Sequence, residues 1–170
     1  GTDAQSSWDG MVKGDSGIKP ITSFNTEGYP VRFGGQVPDF DVGQFLPPKE
    51  ARRMDGFIQH GLVAGMQAVE DAGLEPDSLT LDRIGVAIGS GIGGIKTIET
   101  CPDGLLEKGP QKVSPFFVPS FIINMVAGHL SIKNGIQGPN IAVTTACTTG
   151  PHYIGLAPSI NAYRHAHLMV

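Results

Sequence analysis

The chain has 170 residues, 24 of them glycine, with 16% charged residues against a typical ~25% and a net charge of −4 at pH 7. That length suits one domain with a sizeable core, and the mildly acidic balance gives no reason to expect nucleic acid as a partner. Two cysteines, Cys101 and Cys147, without an N-terminal run resembling a signal peptide, point to reduced thiols in a cytoplasmic compartment.

The first helix is expected from about Asp3–Ser7 through Trp8 and Met11 to a stop by Gly14. Residues 18–48 are rich in proline and glycine and hold only short extended pieces, such as Val31–Phe33. From Lys49 to Ala72 the residues Met54, Phe57, Ile58, Leu62, Met66 and Val69 recur at helical spacing, with Gly73 placed to cap the end. Gly56, Gly61 and Gly65 inside that helix each weaken it by roughly 1 kcal/mol against alanine, which makes sense if another backbone packs closely there. Arg83–Ile88 reads as a buried strand, Ser120–Lys133 as a helix ending at Gly135, and Ile141–Thr145 as a second buried strand. A helix over Thr148–Tyr163 and a strand over Ala166–Val170 complete the order. Strands alternating with helices predict an α/β fold with a largely parallel sheet. Ser114–Ile132 carries no charge, but Pro119, Asn124 and His129 interrupt it, so it reads as a buried core helix and not a membrane span. The chain begins at Gly1 without an initiator methionine and ends on an apolar run. Both ends are expected to be cut.

Two turns compete for the chemistry. Gly89-Ser90-Gly91-Ile92-Gly93-Gly94 follows a predicted strand and matches the spacing of a dinucleotide-binding loop. No second strand ending in an acid follows it, so a tight turn lining a pocket is the preferred reading. The other turn is "VTTACTTGPH", where an apolar strand meets a helix at Cys147. Free backbone N–H groups at a helix start favour thiolate over thiol and can hold an oxyanion once an acyl group sits on sulfur. The competing reading is a buried packing cysteine. Cys101, in a loop before Pro102, is taken as incidental. His152, five positions after Cys147, could sit near it, although a residue so placed more often simply packs. His165 and His167 would share a strand face and could touch a metal, but two ligands without a third make no metal site. His60 and His129 read as structural.

Four segments, "RRMDGFIQHGLVAGMQAVEDAGL", "AIGSGIGG", "SPFFVPSFIINMVAGHLSI" and "TTACTTGPHYIG", together resemble the β-ketoacyl-acyl carrier protein synthases of fatty-acid elongation, above all the type II class of dissociated bacterial or organellar systems. The likeness runs in register from about Trp8 to Met169. It implies a thiolase-like fold, with residues 1–170 as its N-terminal half, lacking the family's first strand and C-terminal half. It also implies a homodimer in the cytoplasm, or in an organellar stroma or matrix, with no metal and no redox cofactor. The implied reaction is acyl transfer from acyl carrier protein to Cys147, then decarboxylative condensation with malonyl-carrier protein. By the matching motifs, the Cys147 backbone N–H would form half of the oxyanion hole. Ile92 would line the acyl channel, and Phe117 would close the neighbouring subunit's pocket. Lys49, Arg52, Arg53 and Lys112 would dock the acidic carrier protein; without the resemblance they read as a solvated face. The family's catalytic histidines and lysine belong to its second half, so none of the five histidines here takes those roles, and the chain alone is expected to accept an acyl group without condensing. The tail departs from the family's pattern: Pro158 would remove a helical hydrogen bond, at roughly 3 kcal/mol if interior, and Arg164 stands where a left-handed cap favours glycine. The alternatives are a polyketide ketosynthase and a non-catalytic carrier-protein-binding or assembly module.

Overall fold

The computed structural model describes residues 1–37, 40–74 and 80–170, with the backbone alone at residues 102 and 103. The chain forms two compact units, Gly1–Asp41 and Val42–Val170.

In the first unit, helix α1 spans Ala4–Lys13. The Asp3 carboxylate accepts the Ser6 N–H at 2.7 Å, and this bond holds its pKa below the usual carboxylate value. Gly14, at φ 75°, closes the helix by donating to the Gly10 and Met11 carbonyls, as the sequence suggests. Strands β1 (Ile18–Pro20) and β2 (Phe33–Gly35) pair antiparallel, Lys19 opposite Gly34. Only the second lies near the extended piece expected at 31–33; its partner came from the turn-rich stretch.

The second unit is built on a three-stranded parallel sheet. Its strands are β3 (Ile84–Ala87), β4 (Asn140–Ile141) and β5 (Leu168–Met169), in the order β4-β3-β5. All four residues of central β3 are buried, which explains its uninterrupted apolar character. Registers Val86–Asn140 and Ile84–Leu168 set the two pairings. The expected strand at Ile141–Thr145 is shorter than predicted and half-buried, because the chain turns away to form the site described below.

Two long helices of the sequence reading are each broken in two. Where one helix was expected over 49–72, α2 (Pro48–Ala51) and α3 (Gly56–Asp71) are separated by Arg52–Asp55. The Gln59 amide donates to the Ala51 and Met54 carbonyls at 2.8 and 3.1 Å, satisfying acceptors that a continuous helix would have used. Where one helix was expected over 120–133, α5 (Phe117–Phe121) and α6 (Met125–Asn134) are separated by Ile122–Asn124. The carbonyls of Ser120 and Phe121 are taken by the Asp55 and Gly94 N–H groups at 3.1 and 3.0 Å, so they are not available to the next turn. Gly135, at φ 67°, ends α6 as expected.

The close approach predicted from the α3 glycines is present at Gly61 and Gly65, made by side chains and not by backbone, while a Cβ on Gly56 would meet nothing within 4 Å. A Cβ on Gly61 would lie 2.7 Å from Val126, and one on Gly65 2.7 Å from Leu130, both in α6. Leu62, Ala127, Leu130, Ile84 and Val86 form the core between these helices and the sheet. Helix α4 (Ile95–Lys108) was not foreseen, and Cys101 lies half-buried within it and not in a loop. Helix α7 spans Thr149–Ala162 and contains Pro158. Beyond its end Arg164 adopts φ 57°, the left-handed conformation anticipated there. Among the described residues, no helix is long and apolar enough to cross a membrane.

Candidate active site

Two strand-to-helix junctions leave neighbouring parallel strands and meet. The β4 junction ends in a 3₁₀ turn, Ala146–Thr148, with Cys147 exposed at its centre and α7 beginning two residues later. Within this chain Cys147 is exposed and is not part of the packed core. Ala146, directly before it, holds φ 49°, one of two non-glycine residues in the left-handed region among those described. An L-residue there costs about 1–2 kcal/mol, so the turn must be held by its surroundings.

Helix α7 supplies that hold from its first turns. Thr149 is buried, and its hydroxyl accepts the Thr145 N–H at 3.1 Å while donating to the Ala146 carbonyl at 2.8 Å. His152 Nδ1 and the Thr145 hydroxyl share a hydrogen bond of 2.8 Å. The Tyr153 hydroxyl accepts the Val143 N–H and donates to the Val143 carbonyl. Residues 149, 152 and 153 stand at i, i+3 and i+4, hence on one face of the helix. From the sequence, His152 could only be said to be within reach of the cysteine, Thr149 reads as a small neighbour leaving room for a substrate, and Tyr153 is not singled out. That helical spacing after a strand was the available signal.

The glycine loop packs against this turn. A Cβ on Gly89 would run into the Val143 carbonyl oxygen and lie 2.8 Å from the Tyr153 hydroxyl and 2.9 Å from Thr149. One on Gly91 would sit 3.6 Å from the Ala146 Cα. Gly93, at φ 87°, lies against the Phe121 carbonyl, and Gly94 against the Phe121 and Asp55 side chains. These glycines are occupied with the chain's own backbone and side chains, which supports the reading of a tight turn over a dinucleotide loop. Ile92 is 69% exposed on this loop, beside the cysteine turn. The loop feeds α4, whose start is fixed from a distance. The Asp55 carboxylate accepts the Thr97 N–H at 2.9 Å and the Thr97 hydroxyl at 2.7 Å, besides capping α3 through the Phe57 N–H.

Phe117 is half-buried, its ring 4.9 Å from that of Phe121. Arg52, Arg53 and Lys112 are exposed and, with Phe117, line a cavity of about 360 Å³. The Arg53 guanidinium lies 4.1 Å over the Phe116 ring. No acidic side chain lines the cavity among the described residues. Lys49 is exposed on α2 and is not part of this lining. The structure therefore brings together three of the four predicted docking cations.

The remaining histidines do not assemble. His165 and His167 both lie in the bend before β5, outside the strand, so they share no strand face, and no group of three or more metal-ligating side chains exists among the described residues. Burial pushes the half-buried His129 imidazole below its ordinary pKa, opposed by the nearby Glu50 charge.

The model of the β-ketoacyl synthase N-terminal domain matches residues 1–168. The chain belongs to this family. Over all 170 residues it is 55% identical to a 3-oxoacyl-[acyl-carrier-protein] synthase 2 of Vibrio cholerae serotype O1, of which it covers 41%. Among solved structures, the ishigamide ketosynthase/chain length factor superposes with a TM-score of 0.84 at 26% identity, covering 98% of this chain and 42% of that one. A type II PKS acyl-carrier protein in complex with its ketosynthase, bound to the hexaketide, matches with a TM-score of 0.67 at 25% identity, over 75% of this chain and 37% of that one. The chain thus spans about two fifths of the ketosynthases it matches, and its fold is the N-terminal part of the thiolase-like fold they share.

Proposed function

We propose that this chain carries the acyl-accepting cysteine of a condensing enzyme of fatty-acid elongation. The observation that carries the reading is the exposure of Cys147 at the tip of a strained turn, ahead of α7, in a chain of the β-ketoacyl synthase family. In the first half-reaction the Cys147 sulfur attacks the carbonyl carbon of an acyl-carrier thioester. The carbon–sulfur bond to the carrier breaks, and the carrier leaves as a thiol with the proton that Cys147 gives up. The Cys147 N–H serves as one oxyanion donor for the tetrahedral intermediate. In the second half-reaction, malonyl-carrier protein loses carbon dioxide, and the resulting carbanion attacks the acyl carbonyl and expels Cys147. Ile92, beside the cysteine turn, lines the acyl channel; Phe117 closes the pocket of the other protomer in a homodimer.

The cavity edged by Arg52, Arg53 and Lys112 supports docking of an acidic carrier protein, with Lys49 extending that face along α2. The relatives' own names supply the same partner, as a carrier-protein synthase and as a ketosynthase in complex with its acyl-carrier protein. The higher identity to the 3-oxoacyl synthase favours fatty-acid elongation over polyketide extension. Intact-mass spectrometry after incubation with acyl-carrier protein tests the reading. One acyl group on Cys147, and none on Cys147→Ser, is expected; acylation elsewhere, or none, overturns it. Charge reversal of Arg52 and Arg53 is expected to slow the transfer from carrier protein and to leave transfer from a small acyl thioester unchanged.

A further inference from the structure

The turn before Cys147 is bent without glycine. Between Ala142 and Thr148 the chain reads Ala-Val-Thr-Thr-Ala-Cys-Thr, and Ala146 alone takes the left-handed conformation. Such a residue returns to an ordinary conformation unless the turn around it is over-determined. Besides the main-chain bonds from the Thr148 N–H to the Thr145 carbonyl and from the Thr149 N–H to the Ala146 carbonyl, one buried hydroxyl reaches both sides of Ala146: Thr149 accepts from the N–H of the residue before it and donates to the carbonyl of Ala146 itself. We propose that Thr149 is a positioning residue for the acyl-transfer step, its hydroxyl holding Ala146 left-handed so that the Cys147 N–H and sulfur face the same thioester carbonyl. The 2.8 Å bond between His152 and the Thr145 hydroxyl supports the same turn from the next position on that helix face. This inference rests on the acyl-transfer reading above.

If Thr149 acts by holding the backbone, its loss harms a reaction that depends on two groups of Cys147 at once. It spares one that needs only an exposed sulfur. The test compares, on the full chain, the rate of acylation by acyl-carrier protein with the rate of alkylation by iodoacetamide. Thr149→Val, which keeps the shape and removes the hydroxyl, is expected to acylate about tenfold more slowly, the scale of one left-handed residue's strain. Alkylation of the same variant is expected to stay within about twofold. Thr149→Ser, which restores the hydroxyl, is expected to restore acylation. Glycine adopts the left-handed conformation without the clamp, so adding Ala146→Gly to Thr149→Val is expected to recover most of the rate. That double variant also answers the case in which Thr149→Val alone fails to fold. Acylation of Thr149→Val at the wild-type rate, or a double variant as defective as the single one, overturns the proposal. A wild-type chain that alkylates but accepts no acyl group overturns the acyl-transfer reading itself, a result distinct from either.

Discussion

The two junctions at the carboxyl ends of β3 and β4 solve one problem by opposite means. The first, from Ile88 to Gly94, has four glycines and is anchored from outside, by Phe121 and by Asp55, whose partner Thr97 lies 42 positions away. The second, from Ala142 to Thr148, has none and is anchored from inside, by the helix it leads into. The glycine junction gives up side chains so that the other can sit against it. The cysteine junction keeps its side chains and stores strain in Ala146, which its own next helix sustains. Strain held locally sets the geometry of one residue, whereas a yielding loop shapes space around it. That division fits the proposed nucleophile on one junction and the proposed channel wall on the other.

The comparison breaks most easily at Gly89. Gly89→Ala would drive a methyl group into the Val143 carbonyl and against Tyr153 and Thr149, forcing the two junctions apart. A loss of at least about 3 kcal/mol is expected, read as a lowered denaturant midpoint, together with loss of acylation at Cys147. Next comes Asp55→Ala, which removes the outside anchor and leaves α3 and α4 without their caps. About 2 kcal/mol of stability is expected to go, with the iodoacetamide reactivity of Cys147 preserved if the cysteine junction is self-supporting. A smaller effect of opposite sign tests the strain argument. Arg164 is the other left-handed non-glycine residue among those described, and Arg164→Gly is expected to raise stability by about 1 kcal/mol in thermal melts. The smallest effect belongs to Gly91→Ala, whose new methyl would meet Ala146 at an ordinary 3.6 Å. A change within about 0.5 kcal/mol is expected, since nothing must move. A large loss there would show that the loop's glycines serve flexibility and not room.

Local chemistry was legible and long-range competition was not. Asp3 and Gly14 bound α1, Gly135 ends α6, and the buried run of β3 could be read directly, because neighbouring residues decide each of them. The glycine spacing of α3 correctly announced the approach of α6, since only a close neighbour justifies that loss of helix propensity. The breaks at 52–55 and 122–124 escaped notice because distant partners make them: the Asp55 and Gly94 N–H groups claim carbonyls that sequence periodicity assigns to the helix. Helix α4 was hidden by Pro102 and Gly104, which read as a loop. At the site, Cys147 and the glycine loop were found through their motifs. The bonding of Thr149 was not legible, because it is tied to one conformation of Ala146 that nothing in a run of small residues declares.

A single carboxylate, that of Asp55, closes the first turn of two helices that belong to different stretches of the chain. The beginning of α3, next to the arginine pair, and the beginning of α4, next to the glycine loop, therefore share one latch. One oxygen serves each helix, so a movement of that side chain disturbs both starts at once. In hydrogen exchange the amides of Phe57 and Thr97 should open together as one cooperative unit, so that a disturbance felt beside Arg53 is registered where the loop begins its helix.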